Sequence, residues 1–202
     1  MTALTPAVLT RAERRALAAI QAELGRLVRY DDESIVHDKW IRQRYDCGCY
    51  ASYDPARKAV VRTAWHEAGH AVAAIEVGAR FSSASIHHGC RTEGRVHAVT
   101  SGVDRGFVID AAGQVAERLM DWSLPDGDVS LRAWLRTWRS DGGDARRFRR
   151  AIQPAYGDDE IAAWRHCAEV LTPLRPTIRQ VARGLLVHPR HLPYNVAAQL
   201  AG

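Results

Sequence analysis

Five consecutive residues, His66-Glu67-Ala68-Gly69-His70, carry the side chains of this chain best suited to chemistry. Two histidines four positions apart fall on one face of an α-helix, so both rings can reach the same metal ion. The carboxylate that follows the first histidine can then act as a base on water at that ion. The pattern H-E-x-x-H on a helix is a zinc-site pattern, and the chemistry it points to is hydrolysis. It demands a helix through residue 70 and, for a catalytic zinc, one further protein donor.

The surrounding sequence meets the first demand. Apolar residues Ala59, Val60, Ala64, Ala71, Val72, Ala74 and Ile75 recur at helical spacing, predicting a helix over 55–77. Pro55 suits its first turn, Asp54 its cap and Gly78 its end. Phe81 to His88 and Arg95 to Thr100 read as two short strands around the turn residues 89–94. Residues 105–122 are helical, with Phe107, Val108, Ala111, Val115, Leu119 and Met120 along one side. Ser123 to Asp128 reads as a loop, Leu131 to Trp138 as a short helix, and another helix starts at Asp144. The stretch 158–187 is helical but broken by Pro173 and Pro176, and Pro193 opens a last helix, 193–200. Towards the start, 6–29 is helical, with Thr10 and Glu13 spaced as a capping box; 30–54 has no period. The expected organisation is an N-terminal helix-and-loop extension, 1–54, before a catalytic domain, 55–202. The fold class is mainly α, with a small β-hairpin beside the metal-binding helix.

Several residues compete for the remaining donor. Glu76 lies ten residues after His66, where metzincins place their third ligand, but Ala73 stands where those enzymes need a glycine turn. In an unbroken helix that spacing turns Glu76 about 80° from the histidine face, so it reads as a solvated side chain. His87, His88 and His97 lie on the hairpin, and the adjacent pair must point to opposite faces. His37, His166, His188 and His191 read as surface or loop residues. Asp144 follows a Gly-Gly turn and opens a helix, which fixes the direction of a carboxylate, although Asp141 is as good a helix cap. Local sequence leaves these two aspartates unresolved.

Bulk properties bound the answer. The 202 residues, 47% hydrophobic and 25% charged, suit a globular domain with a real core. No run of eighteen apolar residues predicts a membrane span, and no secretory leader pattern opens the chain, so it reads as cytoplasmic. The net charge of +5 is carried almost wholly by arginine, Lys39 and Lys58 being the only lysines. No nucleic-acid-binding fingerprint accompanies it, so nucleic acid is not the expected partner. Cys47, Cys49, Cys90 and Cys167 read as free thiols.

Thr63-Ala-Trp-His-Glu-Ala-Gly-His-Ala-Val72 resembles the zinc helix of FtsH-type zinc metalloproteases, and further segments follow in that family's order. Ser85-Ile86 to Gly94-Arg-Val96 resembles its strand pair, and Ala112-Gly-Gln-Val-Ala-Glu-Arg-Leu119 its Ala-Gly-x-x-Ala-Glu helix. Ser140-Asp-Gly-Gly-Asp-Ala145 is similar to its Ser-Asn-Asp-Leu segment, and Leu174 to Leu186 to its penultimate helix. The resemblance spans 55–200. It implies an FtsH peptidase-like helical domain, Zn²⁺ as cofactor, His66, His70 and Asp144 as metal ligands, and Glu67 as the catalytic base. Glu117 then either orients a ligand histidine from behind or makes a surface salt bridge. Gly69 has a packing role, letting another element approach the helix.

The chain departs from that family in having Gly143 where asparagine is expected, and in lacking an AAA+ module, membrane segments and any G-x-x-x-x-G-K-[ST] loop. The expected activity is therefore endopeptidase action on flexible or unfolded polypeptide without ATPase power of its own. A separate unfoldase or regulatory partner is compatible with it, and the oligomeric state is left open. Two other readings share the pentapeptide. One is a zinc-binding regulatory or scaffolding protein with a peptidase-like fold and no proteolysis, its Arg-rich 132–150 stretch facing an acidic partner. The other is an H-E-x-x-H protease with a distal glutamate ligand.

Overall fold

A computed structural model describes residues 8–27, 53–88, 92–97, 105–121, 123–125, 127–138, 143–188 and 190–202; for 23–27, 53–59, 87, 88, 92 and 93 it describes the backbone only. In chain order the elements are α1 (Arg11–Leu27), α2 (Tyr53–Glu76), β1 (Ser83–His88), β2 (Thr92–His97), α3 (Gly106–Met120), α4 (Gly127–Trp138), α5 (Gly143–Tyr156), α6 (Glu160–Leu171), a 3-10 turn (Thr172–Leu174), α7 (Arg175–Val187), β3 (Leu192–Pro193) and α8 (Tyr194–Ala201). The chain is thus mainly helical, with one small antiparallel sheet in the order β2-β1-β3.

The helix carrying the pentapeptide is the centre of the fold. Ala64, Ala68, Ala71, Ala73 and Ala74 of α2 are wholly buried, and α3, α7, α8, β1 and β2 all pack against it. A helix enclosed on so many sides needs small residues where its neighbours come closest. Gly69 meets that need: a Cβ there would lie 2.4 Å from the Ala112 carbonyl oxygen and 2.6 Å from the Ala116 Cβ of α3. Its expected packing role is borne out. Past the end of α2, Ala79 N–H bonds back to the Ala74 carbonyl at 2.8 Å and Gly78 adopts φ 77°. This is a Schellman-type stop, as the glycine foretold.

The sheet differs from the sequence reading. The second strand starts at Thr92 rather than Arg95, so only 89–91 connect the strands, with Ser83 opposite His97 and His88 opposite Thr92. Gly94 is not a turn residue. It sits mid-strand opposite Ile86, where a glycine signals close approach by another group. Leu192 and Pro193 add a short third strand to the start of β1, a pairing too brief to show a period in sequence.

Elsewhere the expected punctuation holds, with shifted starts. Thr10 and Glu13 close a reciprocal capping box on α1, at 2.7 and 3.2 Å. That helix docks on the C-terminal elements, with Ile20 at 1% exposure and the Asn195 amide donating to Glu13 at 3.0 Å. Burying Ile20 contributes about 1.5–3 kcal/mol to holding the extension's helix in place. The remainder of the extension, 1–7 and 28–52, lies outside the described residues, and with it His37, Cys47 and Cys49; Cys90 does too. Helix α4 begins at Gly127, so Gly127 and Asp128, read as loop, open a helix instead. Pro173 and Pro176 divide α6 from α7 through the 3-10 turn, as expected. An aromatic cluster ties α4, α5 and α6 together: Trp134–Trp138, Trp134–Trp164 and Trp138–Phe148 have ring centroids 5.2–5.4 Å apart. It anchors the helix whose first turn carries Asp144. Among the described residues, no helix is long and apolar enough to cross a membrane.

Candidate metal centre

His66, His70 and Asp144 converge on one point, and together they can hold a metal ion. The His66 and His70 Nε2 atoms are 3.0 Å apart. The Asp144 Oδ2 lies 3.2 Å from the first and 3.4 Å from the second. Donor atoms about 2.0–2.1 Å from a tetrahedral zinc are separated by about 3.3–3.4 Å, so the spacing fits such a centre. Two imidazole nitrogens and one carboxylate oxygen are also the donor types of a catalytic zinc site with one position open.

Hydrogen bonds from behind set which ring nitrogen faces that point. His66 Nδ1 is 2.7 Å from Glu117 Oε1, and a carboxylate only accepts, so Nδ1 carries the proton. His70 Nδ1 likewise donates to the Ile109 carbonyl, at 2.6 Å. Both Nε2 atoms therefore turn inward beside a carboxylate oxygen, an arrangement that a proton or a metal cation there reconciles. Glu117 accepts from His66 and also pairs with Arg62, its own side chain being mostly buried.

Electrostatics follow from this crowding. Burial pulls the His66 pKa down, but the Asp144 and Glu117 hydrogen bonds and neighbouring carboxylates outweigh it and push it up to about 10. Burial likewise opposes ionisation of Asp144, yet the two histidines hold it well below the usual carboxylate range. Glu117 is lowered in the same sense, burial being outweighed by His66 and Arg62. A metal ion would take the place of the proton shared at the inward nitrogens.

Glu67 lies beside this cluster, 5% exposed, on the side of α2 that meets β2. The backbone N–H of Val96 donates to its carboxylate, and burial raises its pKa against the pull of His70 and His66. A Cβ at Gly94 would lie 2.4 Å from Glu67 Cγ, so the mid-strand glycine makes room for this side chain. Gly113 of α3 does the same for the two histidines: a Cβ there would lie 2.5 Å from His66 Nε2 and 2.6 Å from His70 Nε2. Neither glycine was picked out for this by sequence reasoning. For Gly113 the available signal was an isolated glycine in a helix, which costs about 1 kcal/mol relative to alanine and so calls for a reason.

Among the described residues, the other candidates stand apart. Glu76 is exposed near the end of α2, as expected. His97 Nε2 pairs with Ser85 Oγ at 3.0 Å and is not in the cluster. The side chains of His87 and His88, and all of Asp141, lie outside the described residues. His166 is no loop residue: it sits on α6, half-buried against Phe107 and Tyr156. Cys167 is a buried free thiol beside the Phe107 carbonyl. No protein-family model, no curated protein and no solved structure matches the chain.

Proposed function

We propose that this protein is a zinc-dependent endopeptidase of the FtsH type, acting on flexible or unfolded polypeptide. The observation that carries the reading is the buried Glu67 carboxylate, placed beside a His66–His70–Asp144 cluster with room made for it at Gly94. Holding a metal needs the histidines and the aspartate. Burying a further carboxylate there costs stability and serves a reaction. That is why proteolysis is preferred to a regulatory or scaffolding role for the same fold.

Zn²⁺ on His66, His70 and Asp144 would supply Lewis acidity, polarising a peptide carbonyl and bringing the pKa of a water towards neutrality. Glu67 takes the proton of the attacking water and returns one to the leaving amine; its raised pKa suits both halves of that task. Glu117 and the Ile109 carbonyl hold the ligand rings in one tautomer and orientation. Among the described strands, β2 is at the edge of the sheet and packs on α2, so an extended substrate can add alongside it through backbone hydrogen bonds.

The test compares wild type with Glu67→Gln for metal content and for cleavage of unfolded casein. The variant is expected to keep one metal equivalent and to lose cleavage by about 10²–10⁴-fold, the usual contribution of a general base. Cleavage at the wild-type rate in Glu67→Gln refutes the base assignment. A metal-loaded wild type that cuts no unfolded polypeptide supports the non-proteolytic role instead.

A further inference from the structure

Asp144 presents two oxygens, and they have different partners. Oδ2 faces the His66 and His70 nitrogens, while Oδ1 accepts from Nη2 of Arg147, one turn further along α5. The same guanidinium donates through Nε to Asp110 Oδ1 at 2.9 Å. Asp110 belongs to α3 and directly follows Ile109, whose carbonyl holds His70. One planar fork therefore ties the aspartate on α5 to the helix that backs both histidine rings. Gly143 leaves space for this: a Cβ there would lie 3.0 Å from Arg147 Nη1.

We propose that Arg147, braced by Asp110, is a positioning residue that confines Asp144 to a single-oxygen contact with the metal ion. The inference rests on the metal-site reading above and goes beyond it, naming what sets the ligand's geometry. A carboxylate with both oxygens free can swing to grip an ion with two, which raises the coordination number and fills the place a substrate needs. With Oδ1 occupied by an N–H donor, only Oδ2 is offered. The Arg147 side chain is 60% exposed, against 17% for Asp110 and 26% for Asp144, so as ion pairs these contacts are screened by solvent. Their value is directional. Arginine can serve both carboxylates at once because its donors diverge from a rigid plane, whereas lysine offers a single point charge.

The test uses the full chain as wild type, Arg147→Ala and Arg147→Lys, stripped of metal. Zn²⁺ affinity is measured by chelator competition, the visible spectrum is recorded with Co²⁺, and the metal-free proteins are melted. Both variants are expected to bind Zn²⁺ about 10–100-fold more weakly, the usual effect of removing a partner of a metal ligand. Their Co²⁺ bands should weaken as Asp144 grips with both oxygens, while metal-free Arg147→Lys melts with the wild type. Should Arg147→Ala not fold, Arg147→Lys carries the same test. Wild-type affinity together with a wild-type Co²⁺ spectrum in Arg147→Lys overturns the positioning role. A wild type that takes up no Zn²⁺ overturns the metal-site reading beneath it.

Discussion

Replacing Gly113 by alanine would put a methyl group where the His66 and His70 rings meet. The new Cβ would stand 2.5 Å from His66 Cε1 and Nε2 and 2.6 Å from His70 Nε2. Relaxed contact between such atoms needs about 3.5 Å or more, so rings and backbone must part by about 1 Å. The helices cannot supply that movement freely, because Gly69 already sets α2 against the Ala112 carbonyl. Metal–ligand distances tolerate only about ±0.2 Å, so the site should lose at least 100-fold in Zn²⁺ affinity, about 2.7 kcal/mol. The metal-free fold should fare better. Overpacking costs about 1–3 kcal/mol, and alanine returns about 1 kcal/mol of helix propensity. The assay is melting with and without Zn²⁺, alongside metal content after dialysis. In the wild type, free Zn²⁺ at 100 times its Kd adds about 2.7 kcal/mol, about 5–10 °C for a domain of this size. In Gly113→Ala that rise should vanish while metal-free melting drops modestly. A full metal equivalent held with wild-type affinity in Gly113→Ala would refute the packing argument and the geometry behind it.

Asp144→Ala should lose most bound zinc on dialysis; a full equivalent retained would move the third ligand elsewhere. Gly94→Ala brings a Cβ to 2.4 Å from Glu67 Cγ without reaching a ligand, so metal content should hold while cleavage falls about 100-fold, the cost of a misplaced catalytic group. Unchanged casein cleavage in that variant would show that Glu67 need not sit where β2 holds it. The pH dependence has a definite sign. His66 in the metal-free fold has its pKa raised from about 6.5 to about 10, so the stability it contributes is full below about 6.5 and is lost as pH rises through about 10. Metal-free melting should therefore fall between those values, and Zn²⁺ affinity should climb across the same window because binding displaces that proton. Titration by calorimetry at several pH values checks both, and an affinity flat in pH would show that the inward nitrogen carries no proton.

Helical periodicity revealed most of the architecture, because amphipathic helices, caps and proline breaks are local properties. Thr10–Glu13, Gly78 and Pro173–Pro176 each act where their chemistry said they would. The sheet was less legible. Gly94 reads as a turn when seen alone, but it pairs with Ile86 in the sheet, and the approach of Glu67 is what calls for a glycine there. The third strand, Leu192–Pro193, exists solely because β1 is there to pair with it.

The candidate site divides along the same line. His66, Glu67 and His70 are recognisable from sequence because one helical turn brings the histidines to one face, whatever surrounds them. Sequence alone left Asp141 and Asp144 equal as caps, and the FtsH resemblance favoured Asp144. The structure shows Asp144 seventy-eight residues from His66 yet within 3.2 Å of it. That meeting depends on α5 being held by Phe148 and the tryptophans. The clearances at Gly113 and Gly94 and the fork from Arg147 to two carboxylates depend on distances between helices and strands. No spacing along the chain encodes those distances. The types and order of the reactive groups are local facts of the sequence; their convergence is decided by packing, which alone brings distant residues into contact.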